Sequence, residues 1–144
     1  MEQKKFAIKQ ISIFSENKPG RLAAIAQALE EEKINILAFS IAEANGFGVV
    51  RALVDHPQEA FETLTRRGFN VAFTEVIAVR MRDEPGGLYE IAHVLGEANI
   101  NIEYSYAYSG KEAAVLILRV DNIPAAIEAI RRGGGTLLDS TLFH

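Results

Sequence analysis

Apolar residues recur at two different periods along this chain. Ile11 and Ile13, and later Ile77, Val79 and Met81, fall at every second position, the period of a strand with one face buried. After each run, Leu22, Ile25, Ala26 and Leu29, and then Leu88, Ile91, Ala92 and Leu95, occupy i, i+3, i+4 and i+7. That spacing predicts a helix whose apolar stripe faces the sheet. Pro19 and Pro85 stand where a first helical position tolerates a fixed φ and a missing N–H. Residues 34–42 and 47–54 then read as a hairpin around Asn45-Gly46, with Ser109-Gly110 near the equivalent place later on. Second helices are expected over residues 57–67, burying Phe61 and Leu64, and over 124–132, burying Ile127 and Ile130. Each ends in an arginine pair, Arg66-Arg67 or Arg131-Arg132, followed by Gly68 or Gly133 as a C-cap. Cations favour that end of a helix dipole, which explains the arginines more simply than an anion site does. Closing strands are expected near 71–74 and 136–142.

The two halves are the same pattern written twice. Shifted by 66 residues, Pro19-Gly20, Ile34-Asn35-Ile36 and Val54-Asp55 fall on Pro85-Gly86, Ile100-Asn101-Ile102 and Val120-Asp121. From Asn17 to Gly68 no gap is needed, and 17 of 52 positions are identical. Coincidence between amphipathic segments preserves hydrophobic class, but not a Pro-Gly, an Ile-Asn-Ile and a Val-Asp at fixed spacing. Duplication is the reading. The expected fold is α+β: two tandem ferredoxin-like βαββαβ units, 1–74 and 75–144, each a four-stranded antiparallel sheet with helices on one face.

Composition narrows function by exclusion. Charged residues make up 24% of the chain and hydrophobic residues 49%, enough apolar material for packed cores. The net charge is −4, with nine basic and nine acidic residues in 1–72 against six and ten in 73–144. Neither half is a basic surface for nucleic acid or anionic lipid. Without cysteine there is no disulfide, thiolate metal site or thiol nucleophile. No stretch approaches the length of a membrane span and the N-terminus has no leader-like segment, so a cytoplasmic protein is expected.

Candidate chemistry collects at the loop before each first helix: Ser15-Glu16-Asn17-Lys18-Pro19-Gly20-Arg21-Leu22, and Arg82-Asp83-Glu84-Pro85-Gly86-Gly87-Leu88. A helix N-terminus offers unpaired N–H groups and partial positive charge to a small anion, and glycine lets it approach the backbone. Asn17 and Asp83 are equally explained as helix caps, although a proline at N1 moves the cap to Lys18 or Glu84. Asn35 and Asn101 interrupt apolar runs at the entry to a strand, where each satisfies turn groups or offers its amide to a ligand. His56, His93 and His144 have no metal-ligand spacing. Tyr104, Tyr106 and Tyr108 alternate along a strand. They suggest a base-stacking platform, but without basic neighbours a packed sheet face or interface is the better reading. No nucleophile motif, P-loop or GxGxxG occurs, so no enzyme and no cofactor is expected.

At Asn17-Lys18-Pro19-Gly20-Arg21-Leu22 followed by Ile34-Asn35-Ile36, and again in the second half, the sequence resembles the ACT domain family, ferredoxin-like regulatory modules of amino-acid metabolism. The resemblance implies a tandem, non-catalytic sensor that binds an amino acid where two ACT units meet. A partner enzyme of amino-acid metabolism goes with that role, and a homodimer is expected because a sheet with helices on one face leaves its other face and edges to be covered. The implied ligand residues are Ser15, Asn17, Lys18, Pro19, Gly20, Arg21, Leu22 and Asn35, with Asp83, Gly86, Gly87, Leu88 and Asn101 in the second copy. Asp83 and Glu84 make the second loop the poorer anion site by Coulomb reasoning. A ligand-free protein-interaction module is the alternative. RNA binding on the sheet is a third reading, against which the acidic charge argues.

Overall fold

The computed structural model describes residues 2–109 and 114–143. The chain separates into two compact units, one spanning Lys9–Thr74, the other spanning Glu75–Leu142 together with the N-terminal stretch up to Ile8. The first unit is built from β1 (Ile8–Glu16), α1 (Arg21–Glu31), β2 (Ile36–Ala44), β3 (Phe47–Val54), α2 (Pro57–Arg66) and the first part of β4 (Asn70–Met81). Its strands lie in the order β2-β3-β1-β4, the ferredoxin-like order. The remainder of β4 opens the second unit, followed by α3 (Gly87–Glu97), β5 (Ile102–Ser109), β6 (Ala114–Val120) and α4 (Ile123–Arg132), with strands in the order β4-β6-β5.

The duplication extends to hydrogen-bond register. Ile11 pairs with Ala52 and Ile77 with Leu118; Ile13 pairs with Val50 and Val79 with Leu116. Even the irregularity recurs, between Ile36 and Ala38 in β2 and between Ile102 and Tyr104 in β5. The repeated Val-Asp and Ile-Asn-Ile have a shared cause there. The Asp55 carboxylate accepts the Asn35 N–H at 2.9 Å while the Asp55 N–H donates to the Asn35 carbonyl at 3.1 Å, and Asp121 and Asn101 do the same at 3.2 Å and 3.2 Å. This reciprocal clasp ties the start of each hairpin to its end, next to the irregularity.

Each unit has its own core: Ile11, Ile13, Ile25, Leu29, Val54 and Leu64 in the first, Ile77, Val79, Leu95, Leu118, Ile127 and Ile130 in the second. The helix stripes differ from the expected ones. Ile25, Ala28 and Leu29 face the first sheet, but Leu22 and Ala26 are exposed. Gly87, Ile91 and Leu95 face the second, and Leu88 is more than half exposed. A helix 11 residues long buries one flank, and the flank through Ile25 and Leu29 takes a small residue between helix and sheet, leaving the leucines outside. Phe61 is half-buried, stacked on Phe73 with ring centroids 4.7 Å apart, and Ala60, Thr63 and Leu64 form the buried side of α2.

Two further expectations are corrected. Pro19 and Pro85 are not first helical residues: Gly20 and Gly86 hold the N-cap position with φ of 91° and 95°, and α1 and α3 start at Arg21 and Gly87. The Arg21 N–H donates to the Lys18 carbonyl at 3.2 Å and the Gly87 N–H to the Glu84 carbonyl at 3.0 Å, so each Pro-Gly forms a type II turn. Gly133 is the C-cap of α4, as expected, with an ordinary φ of −79°, and the left-handed residue follows it at Gly134, the repeat partner of Gly68. The expected strand over 136–142 shrinks to one bridge, Leu137 with Val79, because the Asp139 carboxylate accepts the Thr141 N–H and starts a 3₁₀ turn over Ser140–Phe143. The hairpin turn at Asn45-Gly46 has positive φ at both residues, as type I′ requires, whereas Gly110 lies outside the described residues.

The terminal arginines have structural partners. Arg132 donates to Glu128 at 2.9 Å, Arg131 lies 5.9 Å from the ring centroid of Phe6 on the N-terminal 3₁₀ turn, and Arg67 pairs with Glu31.

Candidate functional site

In the first repeat, β1 delivers Ser15 and Glu16 to the foot of α1, and the Asn17 N–H donates to the Gly46 carbonyl at 2.9 Å, holding the loop against the β2–β3 hairpin. The type II turn then swings Arg21 back over β1, where its Nε donates to Ser15 Oγ at 2.8 Å and its guanidinium lies 5.1 Å from the Phe69 ring centroid. Lys18 is held by Glu16 at 3.4 Å. No side chain caps α1 or α3, so the capping role considered for Asn17 and Asp83 is not taken. The Arg21 N–H is taken by the Lys18 carbonyl and the Ala24 N–H by the Gly20 carbonyl, and the next residue of the first turn, Leu22, is exposed. Between Asn17, Arg21, Leu22, Ile41 and Gly48 the surface encloses only about 20 Å³, room for a water and not for an amino acid.

Asn35 is not part of this cluster. It precedes β2, whereas Asn17 adjoins the far end of the β2–β3 hairpin. A nine-residue strand separates them by roughly 25–30 Å at 3.3 Å per residue. The clasp uses only the backbone groups of Asn35 and Asn101. Their side-chain amides, like the side chains of Asn17 and Asp83, make no hydrogen bond among the described residues.

The second repeat carries the loop with its charges exchanged. Arg82 stands where Glu16 does and Glu84 where Lys18 does, and the two form an ion pair, with Glu90 a second partner of Arg82. Glu84 is paired, yet Arg82, Asp83 and Glu84 leave the second loop net negative where Glu16, Lys18 and Arg21 leave the first net positive, in keeping with the Coulomb argument. Beside this loop the surface opens into a cavity of about 610 Å³, floored by Met81, Ile91, Val94 and Ile130 and walled by Gly133-Gly134-Gly135. Sequence reading missed this place, having taken the glycines only as a helix stop. Comparison with Arg67-Gly68-Phe69, their repeat partners, is the signal that finds it.

The other candidates have local partners. His56 faces Asp55 and Glu59 at 3.9 and 4.0 Å, His93 stacks on Tyr89 at 5.2 Å, and His144 lies outside the described residues. No metal-type cluster occurs among the described residues, and no helix there is long and apolar enough to cross a membrane. Tyr106 and Tyr108 pair directly with Ile117 and Val115, on the sheet face opposite the helix-side residues Leu116 and Leu118. Burial there pushes the Tyr108 hydroxyl above its usual range.

A profile described as an ACT domain pair matches residues 6–135. Among solved structures, a Bacteroides thetaiotaomicron protein shares 33% identity and a TM-score of 0.90, covering 94% of each chain. The ligand-free regulatory subunit of aspartate kinase from Thermus thermophilus aligns at 19% identity and a TM-score of 0.64, covering 90% of this chain and 95% of that one. The corresponding Thermus flavus subunit aligns at 17% and 0.58, covering 88% and 92%. A search among curated proteins finds no match.

Proposed function

Because this chain belongs to the family of paired ACT domains, we propose that it is a non-catalytic regulatory protein that binds an amino acid between ACT units. The carrying observation is geometric. The loop of Ser15, Asn17, Arg21 and Leu22 and the Asn35 edge lie at opposite ends of one sheet, and the loop alone encloses about 20 Å³. A ligand that touches both kinds of residue is therefore shared between two copies, the loop from one chain and the asparagine edge from another, which makes the protein a homodimer when occupied. The side chains of Asn17 and Asn35 fit this role because neither is used internally. The positive end of α1 after Gly20 suits the ligand carboxylate, the Asn35 amide its ammonium group, and the exposed Leu22 its apolar part. The Thermus aspartate kinase subunits share the fold and are named as regulatory, which supports the class of role and leaves the ligand open.

Titration calorimetry of the whole chain against the twenty amino acids tests the reading, with oligomer mass measured with and without ligand. Heat from one or a few ligands with a stabilised dimer is expected. Silence across the panel at millimolar ligand overturns it.

A second reading, a protein-interaction module, has its own support. Phe39 on the edge strand β2 and Phe47 in the adjoining β3 are 51% and 66% exposed, apolar surface that a partner protein would cover. Capture of one specific enzyme, unaffected by any amino acid, would favour it.

A further inference from the structure

Four positions around the first-repeat loop change together in the second. Shifted by 66, Asn17, Arg21, Ile41 and Gly48 become Asp83, Gly87, Ala107 and Ala114. Gly48 lies buried in β3, paired with Ser15 and Glu43, and its φ is ordinary, so the backbone there does not require glycine. Space requires it: a Cβ on Gly48 would stand 3.3 Å from the Asn17 Cβ, closer than packed carbons favour. The missing side chain lets Asn17 lie against the hairpin, where its N–H reaches the Gly46 carbonyl. The same small gap is lined by Leu22 and Ile41, 38% and 43% exposed, and by the buried Ile25 and Val50. Both cations of the loop are engaged, Lys18 with Glu16 and Arg21 with Ser15 and the Phe69 ring.

We infer that the first-repeat loop selects an amino acid with an aliphatic side chain, and that Gly48 is the residue that positions Asn17 to receive it. This rests on the amino-acid site proposed above and narrows its ligand. The polar groups of the ligand meet the Asn17 amide and the start of α1, while its side chain covers Leu22 and Ile41, apolar surface that is otherwise in water. A charged side chain gains nothing there. A carboxylate would have to take Lys18 from Glu16 or Arg21 from Ser15, and an ammonium group would face a loop of net positive charge. The second repeat has none of the three features: Ala114 adds the methyl that Gly48 omits, Asp83 replaces the amide, and Ala107 replaces the Ile41 side chain.

Titration of the full chain with L-isoleucine, L-leucine and L-valine, against L-aspartate and L-lysine, tests this by calorimetry and by NMR of backbone and asparagine side-chain amides. At least one of the three aliphatic amino acids is expected to bind with a dissociation constant of about 1 mM or below and to shift the Asn17 side-chain amide, with aspartate and lysine at least about ten-fold weaker. Gly48→Ala should weaken that binding about ten-fold and move the Asn17 amide even without amino acid, while thermal unfolding stays within about 4 °C of the parent, because alanine adopts an ordinary φ without strain. Ile41→Ala should weaken binding about five-fold. If Gly48→Ala does not fold, Ile41→Ala and the charge comparison still decide. Aspartate or lysine binding as tightly as the aliphatic amino acids overturns the ligand class. Unchanged binding and unchanged Asn17 resonances in Gly48→Ala overturn the positioning role. Binding by a charged or aromatic member of the twenty alone overturns this inference and leaves the amino-acid reading intact, whereas silence of all twenty overturns both.

Discussion

Gly20 and Gly86 decide how the two loops are built, and Pro19 and Pro85 follow from them. A φ near +90° strains any residue with a Cβ, so the Pro-Gly pairs specify a type II turn into the helix. Gly20→Ala should lower stability by about 1–2 kcal/mol, read as a lower thermal midpoint, and should weaken ligand at the first loop as well. The Asp55 clasp serves the backbone instead: Asp55→Ala should cost roughly 1 kcal/mol in denaturant unfolding and leave the Asn35 side chain free to act. Asn35→Ala is expected to weaken amino-acid binding more than Asn101→Ala does, and equal losses in calorimetry would contradict a first-repeat preference. Tyr108 gives a pH test. Its ionisation is pushed upward by burial, so the folded state holds the proton more tightly than the unfolded state. That stabilisation is fully present below pH about 10, the unfolded value, and is lost as pH rises through the higher folded value. Removing it with Tyr108→Phe should reduce the alkaline loss of stability followed by circular dichroism.

Among the elements, hydrophobic period identified the helices and strands well, because a buried face imposes 3.6 or 2 residues per repeat whatever surrounds it. It located α2, α4, β3 and the Asn45-Gly46 turn closely, and it missed which flank of α1 and α3 is covered. Leu22 and Leu88 satisfy the helical spacing, yet the close approach of helix to sheet is made through Ile25 and Ile91, and only the packed structure chooses between adjacent flanks. The closing strand of the second repeat failed for a local reason: the Asp139 turn competes with strand pairing after a single bridge. Leu29→Ala and Leu95→Ala, at repeat-related core positions with almost no exposure, should each cost about 2–5 kcal/mol in chemical denaturation. Leu22→Ala and Leu88→Ala should change stability by no more than about 0.5 kcal/mol.

At the scale of the molecule, a duplicated fold carries two loops that have diverged. The first repeat kept a compact loop with Arg21 over the Phe69 ring; the second exchanged its loop charges and has an open cavity beside it. The acidic balance makes a phosphate-backbone surface an unfavourable use of either unit, and a single-stranded RNA shift assay at physiological salt should show no binding. The ACT family, the doubling and the fold class were all legible before any coordinates, because they rest on local spacing repeated at an interval of 66 residues.

Sequence alone determined that a βαββα pattern is written twice, that Pro-Gly loops and Ile-Asn-Ile edges recur in both, and that no thiol chemistry is available, since these follow from residue identity and period. Tertiary structure alone decided that Asn17 and Asn35 stand at opposite ends of a sheet, that Arg82 compensates Glu84, and that three glycines line an open cavity. Each of those depends on which distant residues are brought together, and distance along a chain carries no record of that until the strands pair.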